Sequence, residues 1–372
     1  MTEYLIRLYP LEPYTFGQET GFQYGDEKGF GKQSYIMESG EVPDQTALFG
    51  ITRYLTLYSE GLLRTDFRYK DEEMSNITEA VGEESFSFED RPQSFGKLKG
   101  ISPVFLMDEE NHVLVTNPFH NQVGIEKDED DPAMKAERPY QTGFQPVKMQ
   151  EKAYVTSCGE IHLPAKKEYQ AKHGYGRGFY DLSTGQIQQG LFLHSLYTGI
   201  RKNISGANMD DAFFKLDRVT LKEGYCFAFF AEMDCALPKE AIVYLGKKKN
   251  AFKALCTPAA ESDIKGEANV KEQIQQAFSS EEGSWYYAWS DINISDIQEL
   301  KGMDFCMKEE KQLRNLQSSV SGGLAKIRKS MVRVNLIKRG SVFYRMAPQI
   351  KLDNKAGVIG MNRIIKLSAK GE

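Results

Sequence analysis

The chain has 372 residues, of which 41% are apolar and 12% aromatic, and its formal net charge is −5. That balance is enough for a packed core and excludes global disorder. A mean hydropathy of −0.49, with no apolar run near the roughly 18 residues a spanning helix needs, excludes a membrane-crossing helix. Cys158, Cys226, Cys235, Cys256 and Cys306 are odd in number and never in CxxC spacing. A disulfide framework or zinc site is not expected, and the reading is reduced thiols in a cytoplasmic protein.

The first predicted element is a strand over 3–9, EYLIRLY, bounded by Pro10 and Pro13. A loop with five glycines between Gly17 and Gly31 follows. Loops of that length inside a compact domain are usually functional or disordered. PDQTALFGITRYLTLYSEG (43–61) reads as a helix with Asp44 as N-cap and Gly61 as stop. Leu48, Ile51, Leu55 and Tyr58 share one face. Gly50 in its middle implies close packing against another backbone. GISPVFLMDEENHVLVTNP (100–118) reads as two strands joined around Glu109–Asn111, and Glu126–Asp131 as an exposed acidic loop. Strand character returns over 210–260, and 268–279 is a short amphipathic helix on Val270, Ile274 and Phe278. Further strands are predicted at 285–289, 331–337, 341–346 and 358–367. The pattern is α+β, in two sheet-and-helix units with long loop insertions.

Catalytic motifs are absent. His112, His120, His162, His173 and His194 form no HExxH, HxH or HD pair, and there is no GxSxG, Walker loop or Rossmann fingerprint. GYGRGF (174–179), between Lys172 and the run's own Arg177, is not followed by a helix; it reads as a phosphate-holding turn or a plain surface turn. Asp210 and Asp211 have no partnering metal motif. Neither metal nor cofactor is expected.

Charge is unevenly spread. From Lys301 onward there are 16 Lys and Arg against 5 Asp and Glu, a balance of +11, which leaves residues 1–300 at −16. Such asymmetry is a hint of polyanion binding. In SGGLAKIRKSMVRVNLIKRGSVFYRM (321–346) basic residues alternate with apolar ones at strand spacing. Val332, Val334 and Leu336 would point inward, Arg333 and Asn335 outward. The candidate RNA-binding set is Lys326, Arg328, Lys329, Arg333, Lys338 and Arg339, with Gly357, Gly360, Asn362 and Arg363 on the last element. One of Phe343 and Tyr344 could stack on bases while the other faces the core.

Several segments resemble, in order, the RAMP superfamily of CRISPR proteins, with the strongest likeness to the third-subunit family of the type III-B Cmr complex. They are the opening strand, Gly-rich loop and PDQTALFGITRYL; FGKLKGISPVFLMDEENHVLVTNP (95–118); LFLHSLYTGIRKNISGANMDDAFFKLDRVTLKEGYCFAFF (191–230); IVYLGKKKNAFKAL (242–255); and RGSVFYRM (339–346). The chain departs from that family in having few glycines around Gly357 and Gly360, and in the basic Gly-rich stretch Tyr169–Asp181, which has no counterpart. The resemblance implies two ferredoxin-like (RRM-like) domains of βαββαβ order, with a boundary placed between 1–185 and 186–372. It implies a non-catalytic guide-RNA-binding subunit of a CRISPR antiviral effector, near the 5′ tag. The implied partners are the large Palm-domain subunit and backbone RAMP subunits, with no membrane. The alternative within the same superfamily is an endoribonuclease that processes precursor guide RNA, using His120, or His173 with Tyr175.

Overall fold

A computed structural model describes residues 1–17, 21–23, 34–64, 69–126, 138–143, 146–147, 154–156, 159–161, 163–164, 176–202, 208–259, 270–278, 285–299, 305–321, 327–344, 351–352 and 355–366. The chain divides into two compact units that interleave along the sequence. Met1–Glu109, Gly190–Lys265 and Arg314–Arg333 form the first; Glu110–Gln189, Gly266–Leu313 and Val334–Glu372 form the second. The single boundary expected at 185/186 is therefore not where the chain divides. The reason is strand pairing: the amino-terminal strand finds both its partners more than half the chain away.

In the first unit that strand, Thr2–Pro10, lies antiparallel between Tyr225–Met233 and Asn250–Pro258. Ile6 stands opposite Phe229 and Cys256, and Leu8 opposite Phe227 and Ala254. All six are buried. Phe105–Asp108 and Leu98–Ile101 extend the sheet beyond Tyr225–Met233, and Glu240–Leu245 is the edge beyond Asn250–Pro258. Tyr14 and Phe16 close over this face, with ring centroids 4.4 Å apart; Tyr14 lies 5.6 Å from Phe252 and 5.8 Å from Phe227. Each such ring contributes about 1.5–3 kcal/mol on burial, and burial drives the Tyr14 phenol pKa upward.

Helix α1, Gln45–Ser59, starts where Leu48 N–H bonds the Asp44 carbonyl and ends at Gly61, whose φ is +67°. Leu48, Ile51 and Leu55 are buried as the spacing predicts, but Tyr58 is exposed. Gly50 is exposed too, and a Cβ there would meet nothing within 4 Å, so the close backbone packing inferred for it is not what the structure shows. Helix α2, Asp71–Val81, packs Ile77, Ala80 and Val81 with Leu57 and Val320. A long hairpin, Phe192–Lys202 with Asn208–Leu221, continues through a parallel pairing of Leu216 with Met37.

The second unit is mostly short strands. Phe305–Met307, Val342–Tyr344, Trp285–Ala288 and Ile364–Lys366 form a four-stranded sheet, and Ile292–Asn293, Val334–Ile337 and Glu310–Leu313 a three-stranded one. Ala288, Ile292, Ile337 and Phe343 form its core. Helix α3, Val270–Phe278, is tied down by Gln273, whose amide donates to the Asn111 carbonyl (2.9 Å) and accepts from Val113 N–H (3.0 Å). Gly340, at φ +91°, lies where any Cβ would come within 2.6 Å of the Phe119 ring.

The strand expected over 358–367 begins only at Ile364. Lys355–Ile359 is instead a 3-10 turn, because Gly360 (φ +74°) and Asn362 (φ +59°) adopt left-handed backbone that a strand cannot contain. The α+β class holds. The βαββαβ order is not reproduced among the described residues of the first unit: Tyr225–Met233 passes to Glu240–Leu245 through 234–239 without a helix. The predicted loop 17–31 lies mostly outside the described residues, as do 127–131 of the acidic stretch.

Candidate nucleic-acid interface

Hydrogen bonds fix the described parts of a basic ribbon, 314–321 and 327–333, within the first unit. Val320 N–H bonds the Glu83 carbonyl (2.7 Å), Ser85 N–H bonds the Ser318 carbonyl (2.8 Å), and the Asn315 amide bonds the Phe86 carbonyl (2.7 Å). On that footing Leu316–Gln317 pairs antiparallel with Arg328–Lys329. Val320 is buried in the helix packing beneath. What remains outside is the basic set: Arg328, Lys329 and Arg333 are exposed, and among the described residues no carboxylate pairs with any of them. Leu316, Ile327 and Met331 stand exposed beside them, at 56%, 60% and 84%. Unpaired cations spaced along an exposed extended segment suit the phosphates of a nucleic-acid backbone; the exposed side chains beside them are aliphatic and supply no ring for base stacking.

The rest of the predicted set is placed differently. Lys326 lies outside the described residues. Arg333 and Asn335 face outward while Val334 and Leu336 are buried, as the alternation predicts, with Val332 half-buried. Lys338 pairs with Glu309 at 2.8 Å. Arg339 is drawn inward: its backbone N–H and its guanidinium both reach Asp291, at 2.9 and 3.3 Å, and Lys311 joins the same carboxylate at 2.8 Å. Burial alone would raise the Asp291 pKa, but the Lys311 and Arg339 cations outweigh it and hold the carboxyl well below its ordinary range. Gly357 and Gly360 are buried. Asn362 accepts from Asn293 N–H (2.8 Å), donates to Asp296 (2.7 Å) and sends its own backbone N–H to the Asp291 carbonyl (3.0 Å). Arg339 and Asn362 therefore make internal contacts of the second unit, and Gly357 and Gly360 lie buried in it. Of the last element, only the Arg363 side chain is exposed without a described carboxylate partner. Phe343 and Tyr344 are both buried, so neither presents a ring for stacking.

Chemistry elsewhere is sparse. Desolvation pushes the half-buried His120 imidazole down to about 3, so it is neutral at pH 7 and poorly suited to act as a general acid. His173 and Tyr175 lie outside the described residues. Of the Gly-rich turn, Gly176 is packed so closely on the Asn121 carbonyl that a Cβ has no room, and Gly178 has φ +102°; packing and backbone geometry explain both. Among the described residues no cluster of three His, Cys, Asp or Glu is arranged to hold a metal ion, and no helix is long and apolar enough to cross a membrane. Cys226 and Cys256 are buried, with thiol pKa values raised by burial to about 11 and about 12.

No family model matches the chain, and no curated protein matches it either. Among solved structures it is similar to a chain of the type III-B Cmr-beta complex bound to cognate target RNA. The identity is 14%, the TM-score 0.44, and the match spans 92% of this chain and 86% of that one. A second state of that complex, with target RNA and AMPPNP, gives 13% identity, a TM-score of 0.42 and the same coverage.

What sequence reasoning missed is the commitment of Arg339 and Asn362 to internal partners. Those partners, Asp291, Asn293 and Asp296, lie about 50–70 residues earlier, and no local spacing signals the pairing.

Proposed function

We propose that this chain is a non-catalytic, guide-RNA-binding subunit of a type III CRISPR effector complex, contacting the 5′ tag region of the guide and docking on the large Palm-domain subunit. The ordered resemblance of its segments to RAMP proteins supports the assignment. The observation that carries RNA binding is the exposed ribbon on which Arg328, Lys329 and Arg333, free of described carboxylates, alternate with Ile327, Met331 and Leu316. Cations spaced along an extended segment suit a phosphate backbone, and their affinity for it derives from counterion release.

The test is co-purification of the tagged chain from its native host, with sequencing of any bound small RNA. Small RNAs sharing one 5′ tag, together with a large Palm-domain protein, are the expected outcome. Recovery of neither would refute the assignment. Incubation with precursor guide RNA, with and without Mg²⁺, is expected to leave the RNA intact. Metal-independent cleavage abolished by His120→Ala or His173→Ala would replace this reading with the processing enzyme.

A further inference from the structure

The hairpin between the edge strand Glu240–Leu245 and Asn250–Pro258 turns through Gly246, Lys247, Lys248 and Lys249. Lys248 and Lys249 take left-handed backbone, at φ +66° and +56°. Turns of this kind favour Gly and Asn, and non-glycine residues adopt such conformations at a cost of order 1 kcal/mol each. Two consecutive lysines therefore go against the local conformational preference, a pattern that recurs at functional sites.

Hydrogen bonds anchor the turn. Lys247 N–H bonds the Thr15 carbonyl at 2.9 Å, the Asn250 side chain accepts from Thr15 N–H at 3.1 Å, and Leu11 N–H bonds the Ala251 carbonyl at 3.0 Å. Gly246 sits so close to Thr15 that a Cβ would come within 2.5 Å of its carbonyl oxygen. The Lys248 ammonium lies 5.7 Å from the centroid of the Tyr197 ring, on the long hairpin. That ring is 51% exposed, its neighbour Leu196 57%, and Tyr244, two residues before the turn, 56%.

Three carboxylates near the turn have partners of their own. Glu12 takes Arg218 (3.3 Å) and Ala251 N–H (3.0 Å), Glu240 takes Lys253 (3.1 Å), and Asp217 takes His194 (2.8 Å). Among the described residues no carboxylate pairs with Lys247 or Lys249.

The geometry points to a second single-stranded RNA contact at this turn: Lys247, Lys248 and Lys249 grip phosphates, and Tyr197 stacks a base whose neighbouring phosphate meets Lys248. This rests on the RNA-binding reading above and adds to it a site of different construction, a tyrosine–lysine apex in place of a basic ribbon. A half-exposed ring beside a cation can take a base as the ammonium swings from the ring to the neighbouring phosphate.

Fluorescence anisotropy of a labelled oligouridylate, titrated with the full chain across a salt series, tests it. The turn variant is Lys247→Ala with Lys248→Gly and Lys249→Gly; the glycines suit the left-handed backbone, so the fold is kept. It is expected to flatten the salt slope by about two units, at about 0.7 per phosphate released. Tyr197→Ala should weaken binding about fivefold or more with the slope unchanged, and Tyr197→Phe should restore it. A ribbon variant, Arg328→Ala with Lys329→Ala and Arg333→Ala, runs in parallel. If the ribbon variant flattens the slope and the turn variant does not, the turn site is refuted and the RNA-binding reading stands. If neither does, both fall. If the turn variant loses binding to labelled polyglutamate but keeps RNA, the lysines serve an acidic protein and the inference is overturned.

Discussion

Arg339 meets one carboxylate, that of Asp291, twice: through its backbone N–H at 2.9 Å and through its guanidinium at 3.3 Å. Lys311 completes the group at 2.8 Å. A basic residue in the middle of a +11 segment is thereby turned from a ligand contact into an internal fastener.

Removing Asp291 takes from Lys311 and Arg339 the buried carboxylate they share. Asp291→Ala is expected to destabilise the second unit by about 3–5 kcal/mol, read as a fall in urea midpoint. Arg339→Ala should also lower that midpoint while leaving the RNA salt slope unchanged. A stable Arg339→Ala variant with a flattened slope would show that the arginine reaches RNA after all.

The same carboxylate sets an acid limit. Its folded pKa is depressed, so its stabilisation is complete above the unfolded value near 4 and is lost as pH falls from there toward the folded value. The stability gap between wild type and Asp291→Asn should be constant from pH 5 to 7 and shrink below about pH 4. A gap still constant down to pH 3, in denaturant melts at each pH, would disprove the pairing.

Phosphate contacts on the ribbon should appear in the salt dependence. Changing Arg328, Lys329 and Arg333 together to Ala is expected to flatten the slope by about two units, with stability changing by no more than about 0.5 kcal/mol per site. Anisotropy across a salt series and a thermal melt of the same variant measure the two effects separately.

His194 titrates as part of a clasp. Its Nδ1 lies 2.8 Å from Asp217, and its Nε2 lies 3.6 Å from Glu41. Desolvation opposes the charged ring, but hydrogen bonding and charge from Asp217, aided by Glu41, outweigh it and raise the pKa. Its stabilising contribution is therefore full below about 6.5, the unfolded value, and fades as pH rises through the folded value. An NMR titration should show the His194 pKa falling in Asp217→Asn; no change would mean the contact is not formed in solution.

Gly50 offers a stabilising substitution. It is exposed in the interior of α1 with open space where a Cβ would go. Gly50→Ala should raise stability by about 0.5–1 kcal/mol, visible as a higher melting temperature. A lower one would indicate a contact at that surface.

Local chemistry settles part of this molecule without tertiary information. The 3–9 strand, the helix ending at Gly61, the hairpin runs over 210–260 and the outward placement of Arg333 follow from side-chain period and from glycine's left-handed freedom, which act within a few residues. So does the concentration of positive charge after Lys301. Pairing across long separations decided the rest. Ile6 against Cys256 and Leu8 against Phe227 join distant segments into the first unit, and Asn315 on Phe86 fastens the basic ribbon within it. Whether a cation faces solvent or a buried carboxylate depends on where Asp291 is brought. An arginine reads alike in sequence in either case, because its charge is local and its partner is not.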